Sequence, residues 1–306
     1  MLLEQELAQY RPSKRSVCTI GVLDGVHLGH QALIRRTVLE ARARDCEAGA
    51  LVLHPHPREV LVPGANVPLL TPLEERVSLL TALGLDFVIP VSFTVEVSRL
   101  SARDFMAALV KHLDLAGIVC GPDFAVGKQR EGDVTALSHI GAELGYEMIV
   151  IDQLEDGTHK VSSSTIRSAI ALGDVETAAR LLGRPYLTTG KVVHGFARGR
   201  LLGYPTANLS VDGHLALPAD GIYATRARSA GVHASATYIG NQPTFDGSDR
   251  SLEVFLLDFD GDLYGSDLSI EWVSKVREDR KFDSPDALVQ QMAKDVAQAR
   301  AALGAA

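Results

Sequence analysis

Residues 16–30 have the sequence SVCTIGVLDGVHLGH, and this stretch decides the fold of the first half of the chain. It opens with a short apolar run rich in β-branched side chains, which is typical of a strand buried in a parallel sheet. A turn follows, and two histidines, His27 and His30, stand on either side of Gly29. The pattern predicts a strand, a tight turn and the beginning of a helix.

Four further apolar runs follow in the first half, separated by helical patterns. The predicted strands are GALVL (49–53), DFVIPV (86–91), AGIVCG (116–121) and EMIVID (147–152). Thr71-Pro72-Leu73-Glu74 is expected to form a capping box with proline at the first helical position, and Ser101 with Asp104 is expected to begin another helix. This alternation predicts a doubly wound α/β domain that binds its ligands at the carboxyl ends of the strands.

The second half of the chain has a different periodicity. Its near-alternating stretches are GIYATRAR (221–228), VHASATYIG (232–240), LEVFLLDF (252–259) and LSIEWVSK (268–275). They predict an antiparallel sheet or a small closed barrel. A long amphipathic helix follows, with Ser284 as its N-cap and Pro285 in its first turn. We therefore expect two domains, 1–183 and 184–306, with the junction at Gly183 to Tyr186.

Composition narrows the classes of function. The chain has 306 residues and a formal net charge of −8, which argues against a nucleic-acid-binding protein. No apolar run has the length of a membrane span or a signal peptide, and the three cysteines lack CxxC spacing. We expect a cytoplasmic protein with no nucleic-acid or membrane partner, whose anionic ligands are held by local donors. The sequence leaves the oligomeric state open.

The histidine pair allows three interpretations. At a helix N-terminus, His27 and His30 can donate hydrogen bonds to phosphate, which the free N–H groups of the helix also attract. A metal site is the second possibility, because His54 and His56 follow a neighbouring strand, although no four-ligand set has a recognisable spacing. The third is that the histidines are structural. The position between strand and helix favours the phosphate site.

Two more segments of the first half contain candidate ligand residues. GPDFAVGKQREGD (121–133) is a glycine-rich loop after a strand, and it carries Asp123 among several charges. It could equally be a solvated connection. VSSSTIR (161–167) places hydroxyls at a helix start, with Arg167 one turn further on. Ser162 could be an ordinary N-cap, but serine and arginine there could also bind phosphates.

In the second half, GKVVHGFARGRLLGYPTANL (190–209) is the most informative run. Its spaced glycines could lie against phosphates, and Thr206 and Asn208 supply oxygen ligands suited to Mg²⁺. A basic surface loop is the alternative. Glu253, a lone acid in an apolar strand, is either an outward-facing, inert residue or a functional base.

The first half resembles the adenylyltransferase module of bacterial bifunctional riboflavin kinase/FAD synthetases in the order and spacing of four motifs. They are GVLDGVHLGH (21–30), LHPHPREV (53–60), GPDFAVGKQREGD (121–133) and VSSSTIR (161–167). That module is a Rossmann-like nucleotidyltransferase of the HxGH class. The resemblance implies an ATP site formed by His27, His30, Ser163, Arg167, Gly21, Asp24 and Gly29. It implies a flavin nucleotide pocket that includes His56, Pro57 and Asp123. Leu23 and Ser164 depart from the family pattern, which usually has Phe and Thr at these positions.

The C-terminal motifs are similar to the riboflavin kinase module of the same family, a small six-stranded β-barrel with a C-terminal helix. They are HGFARGRLLGYPTAN (194–208), LPADGIY (217–223), GNQPTF (240–245), LEVFLLDFDGDLYG (252–265) and VREDRKFDS (276–284). The resemblance implies that Thr206 and Asn208 bind Mg²⁺-ATP and that Glu253 is the base facing the riboflavin 5′-hydroxyl. It assigns the remaining residues to ATP (Gly195, Arg200, Gly203) or to flavin (Arg277, Phe282).

Two positions of the kinase module depart from the family. Phe255 stands where many members have His, and Asp279 stands where Glu is usual. Both departures concern flavin affinity more than the chemistry, because the phosphate-handling residues remain.

Together the two resemblances imply a two-step enzyme. Riboflavin is phosphorylated by ATP to FMN and ADP, and FMN is adenylylated by a second ATP to FAD with release of pyrophosphate, with Mg²⁺ as the cofactor. The alternatives are an enzyme with one active module and a flavin-binding or flavin-sensing protein without turnover. The phosphate-handling residues in both halves favour the bifunctional enzyme, because a flavin-binding protein does not need them.

Overall fold

The computed structural model describes residues 2–157, 159–195, 199, 202–241 and 250–304. The chain divides into two compact units, Met1–Ser163 and Ser164–Ala306. The domain junction expected at Gly183 stays a prediction. Within the described part of the chain, no helix is both long and apolar enough to cross a membrane.

A five-stranded parallel sheet forms the centre of the first unit. The sheet consists of β1 (Ser16–Gly21), β2 (Glu47–His54), β3 (Phe87–Ser92), β4 (Leu115–Cys120) and β7 (Glu147–Val150). Two separate pairs of short strands are β5 (Ala125–Val126) with β6 (Gly132–Asp133), and β8 (Glu155–Asp156) with β9 (His159–Lys160). The sheet order β3-β2-β1-β4-β7, with every pair parallel, confirms the predicted doubly wound fold. Val17 and Cys18 are both buried but belong to separate hydrophobic clusters, so both faces of the sheet are covered.

Helices connect these strands. They are α1 (Leu2–Leu7), α2 (Leu28–Ala43), α3 (Pro57–Leu61), α4 (Leu73–Ala82), α5 (Val95–Ser98), α6 (Ala102–Leu113), α7 (Val134–Leu144) and α8 (Ser163–Ala171). The Ser101 hydroxyl caps α6 by accepting the Asp104 N–H and donates in turn to the Asp104 carboxylate, as the sequence predicts.

The predicted capping box at Thr71 is wrong. α4 begins at Leu73 with Pro72 as its N-cap, and no side chain of the described residues caps it. Thr71 is buried, its N–H donates to Asp24, and its carbonyl accepts from Arg76. These bonds use the backbone of Thr71 to fix a loop, so the helix starts beyond it.

The second unit contains α8 except its first residue, α9 (Val175–Leu182) and a closed barrel. The barrel strands are β10 (Tyr186–Val193), β11 (Ala207–Val211), β12 (Gly221–Arg228), β13 (Val232–Asn241), β14 (Arg250–Leu256) and β15 (Asp267–Glu278). They close in the order β10-β11-β14-β13-β12-β15, all antiparallel, which confirms the expected six-stranded barrel.

The final helix, α10 (Pro285–Leu303), packs across the barrel. Ser284 caps it by accepting the Ala287 N–H, and Pro285 lies in its first turn, as predicted. Ala299 of the helix packs in a small cluster with Ala224 and Ala236 of the barrel. Small side chains at this contact let the helix approach the strands closely.

Candidate functional site

The turn between β1 and α2 places both histidines at the N-terminus of α2. His27 is the N-cap, and its Nδ1 accepts the His30 N–H at 3.2 Å. The two rings stack with their centroids 3.6 Å apart. Gly29 permits this arrangement, because a Cβ there would lie 3.2 Å from the His27 ring. The structure thus brings the predicted pair together where a helix presents free N–H groups.

The same turn has an unusual backbone. Leu23, Gly25 and Val26 have φ values of 52°, 84° and 42°. Positive φ is uncommon for leucine and strained for β-branched valine, and such strain persists only where the surroundings enforce it. Here Leu23 and Val26 are buried in one core cluster, and the Val26 N–H donates to the Leu23 carbonyl. Leu23, although smaller than the usual Phe, therefore anchors the turn.

Asp24 supports the turn from within the protein. Its side chain is 1% exposed, and its carboxylate accepts the N–H groups of Leu70 and Thr71 at 3.0 to 3.1 Å. Its backbone carbonyl accepts the Ser163 hydroxyl at 2.8 Å. Asp24 therefore links the histidine turn to the segment before α4 and to the start of α8.

Arg76 is a residue of this site that sequence reasoning missed. Its side chain is fully buried in α4 and donates to the carbonyls of Val22 and Thr71, each at 2.9 Å, and to Asp24 at 3.3 Å. Arginine is almost never fully buried unless it is paired. The spacing of Arg76 could have indicated its burial, because Arg76 lies four residues before buried Leu80 on the same helix face.

The electrostatic setting makes His30 a neutral group. Burial, with smaller contributions from His27 and Arg76, holds the pKa of His30 well below its ordinary value. Its Nδ1 is buried and has no hydrogen-bond partner among the residues that the structure describes. Burial and then Arg76 also lower the pKa of His54. In the ligand-free protein His30 is therefore a neutral imidazole, which can donate from one ring nitrogen.

The remaining predicted residues of this unit follow the carboxyl ends of β1, β2 and β4, at one edge of the sheet. Gly21 is the last residue of β1. After β2, His56 caps α3 by accepting the Arg58 N–H at 3.1 Å, and Pro57 is the first residue of that helix. After β4, the Asp123 carboxylate pairs with Lys160 at 3.2 Å.

Ser163, the last residue of the first unit, begins α8. Arg167 lies one turn further along that helix, within the second unit. Across the described ranges, no group of three or more His, Cys, Asp or Glu residues is placed to hold a metal ion. The structure gives no support to a metal site at His54 and His56.

In the second unit, two cavities share Thr206 and Asn208. The larger, of about 540 Å³, is lined by Val192, Gly195, Pro205, Thr206, Ala207, Asn208, Leu256, Phe259, Asp260, Gly261, Asp262, Leu263 and Tyr264. The smaller, of about 320 Å³, is lined by Gly199, Leu202, Thr206, Asn208, Ile222, Tyr238, Glu253, Arg277, Asp279, Arg280, Phe282, Leu288, Met292 and Asp295. We call the smaller one the Glu253 cleft.

One row of register partners forms the barrel wall of the Glu253 cleft. Asn208 pairs with Glu253, Glu253 with Tyr238, Tyr238 with Ile222, and Ile222 with Arg277. The row crosses β11, β14, β13, β12 and β15, and all five side chains line the cleft. Barrel closure therefore assembles residues that are far apart in the sequence.

Glu253 points outward from the barrel but is not freely solvated. Its neighbours Leu252 and Val254 are buried in the barrel interior, and the Thr206 hydroxyl donates to Glu253 Oε2 at 2.9 Å. The sequence left open whether Glu253 is an inert, outward-facing residue or a functional base. The structure shows that Glu253 faces outward and lines a cleft. Phe255, one of the departures from the family, packs edge-on against Tyr204.

The predicted glycines around Thr206 have separate local roles. A Cβ on Gly195 would lie 2.3 Å from the Asn208 amide, so glycine is required for the close approach of these segments. Gly203 has φ +84°, the left-handed region that glycine adopts without strain. Arg200, also predicted to bind ATP, lies outside the described residues.

An ion pair connects the barrel wall of the cleft to α10. Asp295 of α10 is buried and binds Arg277 through both Nε and Nη2, at 2.9 and 2.7 Å. The Arg280 and Arg277 guanidinium groups lie 4.8 and 5.6 Å from the Phe282 ring. The predicted flavin residues Arg277 and Phe282 are thus brought together, and Asp295, which the sequence did not reveal, fixes the orientation of Arg277.

Comparisons with known proteins match both units. A family model for riboflavin kinase matches residues 182–303, and one for FAD synthetase matches residues 10–165. The bifunctional riboflavin kinase/FMN adenylyltransferase of Listeria monocytogenes is 38% identical over 93% of this chain and 91% of its own length. The protein with the same description from Escherichia coli K12 is 35% identical over 96% of this chain and 94% of its own.

A solved structure supports the fold over the whole chain. A crystal structure described as a macrolide-efflux protein from Streptococcus pneumoniae has a TM-score of 0.89 and 31% identity, and the match covers 98% of this chain and 97% of that one. The α/β unit and the barrel thus occur together in a single chain of known structure.

Proposed function

The chain belongs to the family of bifunctional riboflavin kinase/FMN adenylyltransferases, and we propose how its two units divide the two reactions. The barrel unit phosphorylates riboflavin to FMN, and the α/β unit adenylylates FMN to FAD. The observation that carries this assignment is the pair of cavities that share Thr206 and Asn208, with Glu253 in the smaller one. Phosphoryl transfer requires the phosphate donor, ATP, and the acceptor, riboflavin, to be held next to each other, and two adjoining cavities can hold them in this way.

In the kinase step, ATP occupies the larger cavity and riboflavin occupies the Glu253 cleft. Glu253 accepts the proton of the riboflavin 5′-hydroxyl, that oxygen forms a bond to the γ-phosphorus, and the bond to the β-phosphate oxygen breaks to release ADP. The hydrogen bond from Thr206, which lines both cavities, holds the Glu253 carboxylate in place in the Glu253 cleft. Positioning of this kind supplies much of the catalysis in phosphoryl transfer.

Thr206 and Asn208 fit a magnesium ion. The Thr206 hydroxyl and the Asn208 amide offer hard oxygen donors beside the Glu253 carboxylate, and Asn208 is the register partner of Glu253. Mg²⁺ usually binds through a few protein oxygens together with substrate phosphates and waters. When bound there, Mg²⁺ neutralises negative charge on the ATP phosphates. The two residues orient the phosphate chain between the cavities.

In the adenylylation step, an FMN phosphate oxygen attacks the α-phosphorus of ATP, and pyrophosphate leaves. His27 and His30 donate hydrogen bonds to the phosphate chain at the N-terminus of α2, together with Ser163. The close stacking of the two rings supports this role, because it directs both side chains to one region at the helix start. Arg167 belongs to the second unit, and its role in binding ATP stays a prediction. Gly21 and Gly29 leave space for ATP, Asp24 supports the turn, and His56, Pro57 and Asp123 border the FMN pocket.

We also propose that the enzyme works in the cytoplasm. All three cysteines lie in the described part of the chain, and each is buried and unbridged. Thiols of this kind are typical of a reducing compartment. The reactants are riboflavin, FMN, FAD, ATP, ADP and pyrophosphate.

A flavin assay tests the proposed function. The full-length protein is incubated with riboflavin, ATP and Mg²⁺, and the flavins are separated by chromatography at successive times. FMN should appear first and FAD afterwards, and removal of Mg²⁺ with EDTA should stop the formation of both. Bound riboflavin without any product would instead favour the flavin-binding protein.

A further inference from the structure

One loop forms a wall of the larger cavity in the barrel unit. It joins β14 to β15 and comprises residues 257–266. Six of its residues line the cavity: Phe259, Asp260, Gly261, Asp262, Leu263 and Tyr264. The position of this loop therefore sets the shape of the space in which we place ATP.

The end of the loop near β15 is held beside β10. The Gly265 N–H donates to the Val192 carbonyl at 2.9 Å, and the Tyr264 ring stacks on His194 with the ring centroids 3.9 Å apart. A segment that is fixed at one end only keeps much of its conformational freedom. The cavity wall therefore depends on how the other end of the loop is held.

Arg300 of α10 holds that other end. Its guanidinium donates to both carboxylate oxygens of Asp258, from Nη1 at 2.8 Å and from Nη2 at 2.9 Å. A bidentate pair of this kind fixes the direction of the carboxylate as well as its distance. Asp258 lies directly before Phe259, the first residue of the loop that lines the cavity.

The barrel core fixes the part of α10 that carries Arg300. Ala299, the preceding residue, is fully buried and packs in a cluster with Ala224 and Ala236 of the barrel. Arg300 lies in the last turn of the helix. Its side chain therefore extends from a backbone that the barrel holds in place.

The backbone at Asp258 shows why the pair matters although the Asp258 side chain is 72% exposed. Asp258 has φ 55°, which is uncommon for a residue other than glycine. The Leu257 N–H before it still donates to the Ala234 carbonyl of β13, whereas Phe259 after it packs edge-on against His233. An exposed ion pair usually contributes little, but this one is bidentate and acts on a turn with an unfavourable backbone conformation.

We propose that Arg300 is a positioning residue for ATP in the kinase reaction: its ion pair with Asp258 holds the 257–266 loop in place against the larger cavity. This inference rests on the proposed function, which places ATP in that cavity. Neither partner belongs to the described lining of either cavity. The pair therefore acts through the loop, and it should affect the binding of ATP more than the transfer of phosphate.

The test compares steady-state riboflavin phosphorylation by the full-length wild type and Arg300→Met. The variant should raise the KM for ATP about threefold, an effect within the range of one partly exposed ion pair. Its kcat should stay within about twofold of the wild type, because no group that acts in the transition state is removed. The KM for riboflavin should not change, whereas a general loosening of α10 would raise it, since Leu288 and Met292 of that helix line the Glu253 cleft.

Asp258→Asn distinguishes the loop from a long-range effect of charge. Asparagine tolerates the left-handed backbone, but it offers one acceptor oxygen and no charge. Removing a negative charge by itself favours the binding of anionic ATP, whereas losing the ion pair raises the KM for ATP. We expect the KM to rise. Arg300→Met with Asp258→Asn should add little to Arg300→Met alone, since both changes remove one interaction.

Lys294→Met is the matched control. Lys294 is an exposed cation of α10 outside the described lining of both cavities, and its loss changes the net charge as much as Arg300→Met does. Its KM for ATP should equal that of the wild type. In about 0.5 M salt, which screens exposed charges, the KM ratio of Arg300→Met to the wild type should decrease. Adenylylation of added FMN should be unchanged in every variant.

The outcomes separate the inference from the proposed function. The role of Arg300 would be overturned by an unchanged KM for ATP in Arg300→Met, by an equal rise in Lys294→Met, or by a lower KM in Asp258→Asn. An equal rise in the KM for riboflavin would also overturn it, because α10 would then act as a general support. In each of these cases the kinase assignment stands. Wild-type protein that makes no FMN would contradict the proposed function itself.

Discussion

The surroundings of His30 restrict its protonation, and a neighbour of Glu253 restricts the orientation of its carboxylate. His30 is kept neutral by burial and by nearby His27 and Arg76, so it can donate a hydrogen bond without bringing a charge. Glu253 is fixed by the Thr206 hydroxyl on the outward face of β14. The surroundings of each residue therefore determine its state. Burial keeps the His30 imidazole neutral, and the Thr206 hydroxyl fixes the position of the Glu253 carboxylate.

Removing the His30 side chain tests its assigned role. His30→Ala should lower the rate of FAD formation from FMN by about 10²–10³, the usual effect of losing one donor to developing charge. Phosphorylation of riboflavin should continue, so chromatography should show FMN accumulating. His139→Ala, an exposed histidine of the same unit, is the control and should make FAD at the wild-type rate.

The lowered pKa of His30 predicts a pH dependence of stability. The unfolded chain binds a proton at His30 near its ordinary pKa of 6.5, and the folded chain binds it only at lower pH. The free energy of unfolding should therefore fall as the pH drops below about 6.5. His30→Gln should reduce that fall, as measured by urea denaturation at about pH 7.5 and 5.5. Equal losses in both proteins would show that His30 does not titrate in this interval.

The sequence predicted the residues whose chemistry is visible in a local motif. His27 and His30 are recognisable because a strand precedes them and a helix follows. Arg76 and Asp295 could not be found in this way, because each matters through a partner distant in the sequence. Glu253 is intermediate: its residue type was informative, but its role depends on strand alternation and on the cleft that the barrel builds.

At the scale of elements, the β1–α2 turn depends on a helix that is far away in the chain. Arg76 of α4 donates to the Val22 carbonyl, and Asp24 ties the same turn to the loop before α4. The positive φ values of Leu23 and Val26 show that the turn needs this support. The geometry of the histidine site therefore depends on contacts from α4 as well as on the residues of the turn itself.

Arg76→Met tests this dependence. The substitution preserves apolar volume but leaves Asp24 without its buried cation, and loss of one partner of a buried pair costs about 3–5 kcal/mol. We expect a less stable α/β unit with strongly reduced FAD formation, while the barrel still phosphorylates riboflavin. Arg76→Lys keeps the charge and should retain more activity. Wild-type adenylylation by folded Arg76→Met would show that the turn does not depend on this arginine.

Element types were more predictable than their boundaries. Buried apolar runs identified the five strands of the parallel sheet, and near-alternating stretches identified four of the six barrel strands, because periodicity reports burial directly. The strands Tyr186–Val193 and Ala207–Val211 were not predicted. The helix start at Thr71 was placed wrongly, since the same Thr-Pro sequence can cap a helix or anchor a loop, and buried Asp24 decides between them. That decision depends on tertiary contacts that a local motif does not contain.

At the scale of the whole molecule, we propose that the first unit catalyses adenylylation and the barrel catalyses phosphorylation. The first unit has the stacked histidines at the start of α2, and the barrel has two cavities that share Thr206 and Asn208. Barrel order could not be derived from the strand pattern alone, because six antiparallel strands can close in several orders. Asn208, Glu253, Tyr238, Ile222 and Arg277 are neighbours only because β11, β14, β13, β12 and β15 follow one another in the barrel.

The central claim is that riboflavin phosphorylation depends on Glu253 in the barrel and that adenylylation does not. The most direct measurement is flavin production by full-length Glu253→Gln, given ATP and Mg²⁺ with either riboflavin or FMN. We expect FMN formation from riboflavin to fall by about 10²–10⁴, the contribution typical of a general base. FAD formation from added FMN should match the wild type. Full-rate phosphorylation of riboflavin by this variant would contradict the assignment.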